Sequence, residues 1–265
     1  MLHWLGADLT SSLASDSQVD FQHYTELGWE AAVGRLKVIR MISEGKISKE
    51  DTIVTLRDRT FMYDKLCKTQ PYDSSYRHEG NGLHLRDYNW WIAELHYMPI
   101  MNGNHVPWRW PQDIPMILDL DFEEINPPPC IMINHRVRAW AAARNCKEEN
   151  TKNLVSLALS LNLKPYISGR YAEKIDERAE YIPTLRRLAS IIHHPNCIAF
   201  FTMGGPTMLA QQCCKNKLVV FNTLNALETA QIGKHPLFMS NYLNFSGCSQ
   251  HVANNLAEAE RILKA

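Results

Sequence analysis

The turn Met203-Gly204-Gly205-Pro206-Thr207 combines residue types suited to holding a phosphate group. Two glycines let the backbone approach a ligand closely, Pro206 fits the first position of a helix, and Thr207 offers a hydroxyl to phosphate oxygens. A helix that starts there also presents free N–H groups and a partial positive charge. A second segment, Asn134-His135-Arg136-Val137-Arg138, carries two guanidinium groups, whose planar fork matches phosphate geometry and keeps its charge. Arg170 in Ser168-Gly169-Arg170 adds a third cation beside a small, flexible pair. Taken singly, each arginine reads equally as a solvated surface charge and the glycine pair as a plain tight turn. Their common chemistry is neutralisation of a di-anionic phosphate ester.

All three segments follow apolar runs. Residues 130–133, 164–168, 197–201 and 218–221 read as strands, and helical periodicity covers 150–162, 181–193, 207–214 and the tail 251–264. Alternating strands and helices imply a parallel sheet, in which loops at the carboxyl ends of the strands gather the ligand. The prolines of Asn126-Pro127-Pro128-Pro129 separate this half from what precedes it, since three prolines neither continue a helix nor donate to a ladder. The expected organisation is therefore an N-terminal α/β domain over 1–126 and a nucleotide-binding, Rossmann-like domain over 130–265. In the first of these, residues 2–7 and 52–56 read as strands and 29–43 as an amphipathic helix.

The succession of strand, His-Arg-x-Arg, strand, Ser-Gly-Arg, strand, Gly-Gly-Pro-Thr resembles the C-terminal domain of GT-B glycosyltransferases, including the arginine motif of fucosyltransferase-like members. The resemblance covers roughly the stretch from Cys130 to Thr223, and Val137 separates two arginines that are adjacent in that motif. It implies two Rossmann-like α/β domains facing a central cleft. The implied reaction moves a sugar from a UDP- or GDP-linked donor to a glycan hydroxyl, with no obligatory metal. Arg136 and Arg138 would neutralise the leaving diphosphate, helped by Ser168, Gly169, Arg170 and the turn from Met203 through Gly204, Gly205 and Pro206 to Thr207. Asn222 would reach ribose or base. The base for the acceptor hydroxyl would come from the first domain, where Asp8 and Asp58 follow strand-like runs. Trp90, Trp91, Trp108 and Trp110 would offer an acceptor sugar a stacking surface, or simply core.

Two other readings stand beside this one. The apolar run 116–122 contains Asp119 and Asp121, an Asp-x-Asp pair of the kind that holds manganese or magnesium in the GT-A architecture. A non-catalytic sugar-binding module would use the same tryptophans. Dehydrogenase and serine-hydrolase chemistry lack their signatures, because neither a GxGxxG nor a GxSxG spacing occurs.

The composition frames these choices. With 265 residues, 45% hydrophobic and 21% charged, the chain has material for two cores and none of the bias of a disordered segment. Its 28 basic residues balance 28 acidic ones, which disfavours nucleic acid or an anionic membrane as the main partner. Seven cysteines without CxxC spacing fit reduced thiols and a cytoplasmic setting. Neither a signal-peptide pattern nor an apolar run long enough to span a membrane is expected.

Overall fold

The structure is a computed structural model that describes residues 18–20, 27, 31, 35–72, 120–137, 145–169, 171–202, 205–221, 244 and 246–265. The chain divides into two compact units, Met1–Asp121 and Phe122–Ala265. Each is α/β and built on a parallel sheet.

In the first unit, β1 (Gln18–Asp20), β2 (Thr52–Leu56) and β3 (Lys68–Tyr72) pair in that order, with β2 in the middle. Central β2 buries Ile53, Val54 and Thr55 in succession, as a strand covered on both faces must. Pro71 lies in β3, at the sheet edge, where a missing N–H costs no ladder bond. Helix α1 (Arg35–Ser43) presents Val38, Ile39 and Met41 to the core. Its first residue, Arg35, is fully buried and donates from Nε to the Met62 carbonyl at 2.9 Å. A 3-10 turn over Arg57–Met62 follows β2 and buries Phe61 and Met62. Sequence periodicity predicts the strand 52–56 correctly, whereas β3, with its lysine and proline, has no such pattern.

The second unit carries β4 (Cys130–Asn134), α2 (Glu148–Ser160), β5 (Lys164–Ser168), β6 (Glu180–Ile182), α3 (Leu185–His193), β7 (Cys197–Thr202), α4 (Gly205–Cys213), β8 (Lys217–Phe221), β9 (Ser249–Ala253) and α5 (Leu256–Lys264). All six strands are parallel, in the order β6-β5-β4-β7-β8-β9. Every residue of β4 is buried, as expected for the innermost strand of a sheet covered on both faces. Alternate residues divide between those faces. Ile131, Ile133, Ile167, Ala199, Phe201 and Val219 pack with Leu154, Val155 and Ala158 of α2 and with Ala259 and Leu263 of α5. The intervening Met132, Phe200, Leu218 and Val220 are buried on the other side, where α3 and α4 lie against each other. Each such fully buried side chain contributes roughly 1.5–3 kcal/mol.

Some elements differ from the periodicity for identifiable physical reasons. The helix expected over 181–193 begins only at Leu185, because Thr184 caps it by accepting from the Arg187 N–H at 3.2 Å, and residues 180–182 form β6 instead. The tail expected as one helix over 251–264 splits in the same way. Asn255 accepts from the Glu258 N–H at 2.9 Å and starts α5, while 249–253 pair with β8 as β9. The described end of the run expected as a strand over 116–122 is unpaired: Leu120, Asp121 and Phe122 are in no strand, and the Asp121 N–H donates to the Phe61 carbonyl at 3.0 Å. A ladder requires a neighbouring strand in register, and these residues have none among the described residues.

Candidate functional site

In an open parallel sheet the loops diverge where the chain order of the strands reverses, leaving a crevice at their carboxyl ends. Here that point lies between β4 and β7. Counted within its own unit, the sheet runs third, second, first, fourth, fifth, sixth strand, the order of Rossmann-type doubly wound folds. A small recess sits at this place, walled by Asn134 of β4, Thr202 of β7, and Cys146, Asn150 and Thr151. Phe201 and Phe221 form its apolar side, ring centres 6.1 Å apart in an edge-to-face pair.

Two buried hydroxyls mark the β7 side. Thr202 ends the strand and Thr207 is the third residue of α4; they are 2% and 0% exposed. Neither Oγ1 atom has a hydrogen-bond partner among the described residues. A buried hydroxyl without a partner is costly, by roughly 1–3 kcal/mol, so each points to a group that satisfies it, and Thr202 lines the recess.

Two helices also start near this edge, and their charges separate them. The first turn of α2 carries Glu148 and Glu149, which already offset its positive end. The first turn of α4 holds Gly205, Pro206 and Thr207 and no acid. An anion is therefore favoured at α4 and opposed at α2.

The β4 loop is tied to its neighbours. Asn134 donates from Nδ2 to the Ser168 hydroxyl at 3.2 Å, and the His135 N–H donates to the Ser168 carbonyl at 2.8 Å. Gly169 is required by this contact, since at φ +120° a Cβ would stand 2.1 Å from the His135 carbonyl oxygen. The His135 ring lies 2.8 Å from the Thr151 hydroxyl through Nδ1. Burial pushes its pKa down, while Glu148 works in the opposite direction. Arg136 is 8% exposed, and its carbonyl accepts from the Cys146 N–H at 2.9 Å. Burial raises the Cys146 thiol above its usual range, and Arg136 partly offsets that rise.

The sequence candidates distribute as follows. Arg136, Ser168 and Gly169 meet at the adjoining ends of β4 and β5, and Gly205, Pro206 and Thr207 open α4 two residues earlier than periodicity indicates. Ser168 is bonded to the β4 loop, and the Gly169 carbonyl accepts from the Ala172 N–H and the Tyr181 hydroxyl. Asp58 stands in the turn after β2 of the first unit, half exposed, with Oδ1 3.8 Å from Arg59 Nε. Asp8, Asp119, Arg138, Arg170, Met203, Gly204, Asn222 and the four tryptophans between 90 and 110 lie outside the described residues. No cluster of three or more His, Cys, Asp or Glu suited to a metal ion occurs among the described residues. All seven cysteines are free thiols. Among the described residues, no helix is long and apolar enough to cross a membrane.

Residue-by-residue reading misses Thr202, Cys146 and Thr151. Thr202 has a usable signal, a hydroxyl closing the apolar run 197–201. Cys146 and Thr151 have none, because the crevice places them beside β4 only after α2 has folded back.

No family model matches the chain, and no curated protein does. Among solved structures, E. coli heptosyltransferase WaaC with ADP aligns over 88% of this chain and 69% of its own, at 11% identity and a TM-score of 0.35. So loose a likeness bears on no residue of the site.

Proposed function

We propose that the Phe122–Ala265 unit binds the diphosphate of a nucleotide sugar at the β4–β7 crevice and that the protein transfers the sugar to a glycan hydroxyl. The observation that carries this reading is the buried, unpartnered Thr202 hydroxyl at the switch point of a parallel sheet, followed along the chain by an acid-free helix start whose third residue, Thr207, carries a second such hydroxyl. A diphosphate supplies several acceptor oxygens for the buried hydroxyls and a negative charge for the acid-free start of α4. When the bond between the anomeric carbon and the diphosphate oxygen breaks, negative charge grows on the departing phosphate. Groups fixed in place for that charge stabilise the transition state most. In this account the α4 N–H groups and Thr207 hold the diphosphate, Arg136 lies at the neighbouring strand end to offset its charge, and no divalent cation is obligatory.

The test is turnover of UDP- and GDP-sugars by the full chain with chelator present. Arg136→Ala is expected to lower kcat/KM by about 100-fold, the scale of removing one fixed charge-stabilising donor, while circular dichroism stays unchanged. Near-normal turnover in that variant would remove the donor-site assignment. Complete loss on chelation, reversed by manganese, would transfer the reading to Asp119 and Asp121.

A further inference from the structure

A pair of thiols meets at the end of α4. Cys214 directly follows that helix and Cys248 directly precedes β9, and both side chains are buried. Backbone bonds on either side hold the two segments together. The Ser246 N–H donates to the Gln211 carbonyl at 3.0 Å, and the Ser249 N–H donates to the Asn216 carbonyl at 3.0 Å. Cys248 lies between these ties on one segment as Cys214 does on the other, and the Cys214 thiol hydrogen-bonds to the Cys248 sulfur. Asn244 fixes Cys248 further, donating from Nδ2 to its carbonyl at 2.7 Å and accepting from its thiol at 3.2 Å. The neighbouring Cys213 is engaged elsewhere, since its thiol donates to the Leu209 carbonyl of its own helix at 3.3 Å.

The pair is chemically unequal. The bond from Cys214 brings the Cys248 pKa down to about 7 against the effect of burial, with help from Ser246. The same bond, together with burial, pushes Cys214 well above its ordinary range. Near neutral pH, Cys248 therefore supplies the nucleophilic thiolate and Cys214 the thiol beside it. A thiolate next to a second thiol is oxidised to a disulfide in preference to higher acids. Gly247 adjoins Cys248 and is exposed, with nothing among the described residues within 4 Å of where a Cβ would stand. A small oxidant has room there.

We propose that Cys248 and Cys214 form a hydroperoxide-reactive dithiol that closes reversibly to a disulfide. The Cys248 sulfur attacks one oxygen of hydrogen peroxide. An S–O bond forms, the O–O bond breaks, and the other oxygen leaves as hydroxide, which takes a proton from solvent. The Cys214 sulfur then attacks the sulfur of this sulfenic acid. The S–S bond forms, the S–O bond breaks, and the departing hydroxide leaves as water with the Cys214 proton. The two thiols together lose two electrons and the peroxide is reduced to water; a dithiol reductant reverses the change. The new bond ties the end of α4 to the start of β9 and closes a loop that contains β8.

The test is hydrogen peroxide treatment of the full chain at neutral pH, with free thiols blocked by N-ethylmaleimide before unfolding and proteolysis. Peptide mass spectrometry is expected to find a Cys214–Cys248 crosslink that dithiothreitol removes. Cys213→Ser keeps this crosslink, whereas Cys214→Ala loses it. Wild-type protein that is oxidised without forming the crosslink, or that is not oxidised at either thiol, overturns the proposal. So does a Cys248 crosslink that persists in Cys214→Ala, which would make Cys213 the partner. The wild-type result decides the matter even where a variant fails to fold.

Discussion

Thr202 and Thr207 show how a residue's meaning depends on what surrounds it. A threonine at the end of an apolar run reads as a strand former, and one after Gly-Gly-Pro reads as a helix start. Only burial without a hydrogen-bond partner turns either into a candidate ligand contact. Thr207 was legible through its turn; Thr202 offered only the weaker signal of a hydroxyl closing an apolar run. His135 carries the same lesson in its titration. Its pKa is held below the ordinary 6.5 by burial, so the unfolded chain binds more protons between the two values. Stability therefore rises with pH through that window and is lost as pH falls below 6.5. His251, also lowered by burial and by Lys217, acts in the same sense. Urea midpoints for His135→Gln are expected to decline less steeply between pH 6.5 and pH 5 than for the wild type, with the His251 share remaining. An identical decline would place the buried histidine elsewhere.

At the scale of elements, strands buried on both faces were legible and short edge strands were not. Cys130–Asn134, Lys164–Ser168, Cys197–Thr202 and Lys217–Phe221 are apolar runs bounded by turn residues, and each forms where its pattern places it. The edge strands Glu180–Ile182 and Ser249–Ala253 are polar and short, and they exist because a neighbour offers a ladder in register. Periodicity places 181–182 and 251–253 in helices because the helical pattern of α3 and α5 extends backwards past the caps. Cap residues decide these ends. Asn255→Ala removes the acceptor for the Glu258 N–H and is expected to destabilise the fold by about 1 kcal/mol in chemical denaturation while leaving nucleotide affinity unchanged. A loss of affinity in that variant would mean that α5, which packs beside α2, influences the crevice.

At the scale of the molecule, the parallel sheet of Phe122–Ala265 followed from alternation alone, but its strand order did not. Periodicity says that strands alternate with helices; it does not say that the fourth strand returns beside the first. That return creates the crevice, and it brings Arg136 and the α4 turn to adjacent strands although some seventy residues of chain separate them. The catalytic account depends on this one site holding a diphosphate. The most direct measurement is calorimetric titration of UDP and GDP into the full chain and into Thr207→Val, which removes the buried hydroxyl and keeps its shape. The account predicts saturable binding of at least one nucleotide, displaced by pyrophosphate, and weakened on the order of 10-fold in Thr207→Val, whose Tm is at or above that of the wild type. Equal affinity in the two proteins, or no nucleotide binding by the wild type, would contradict it.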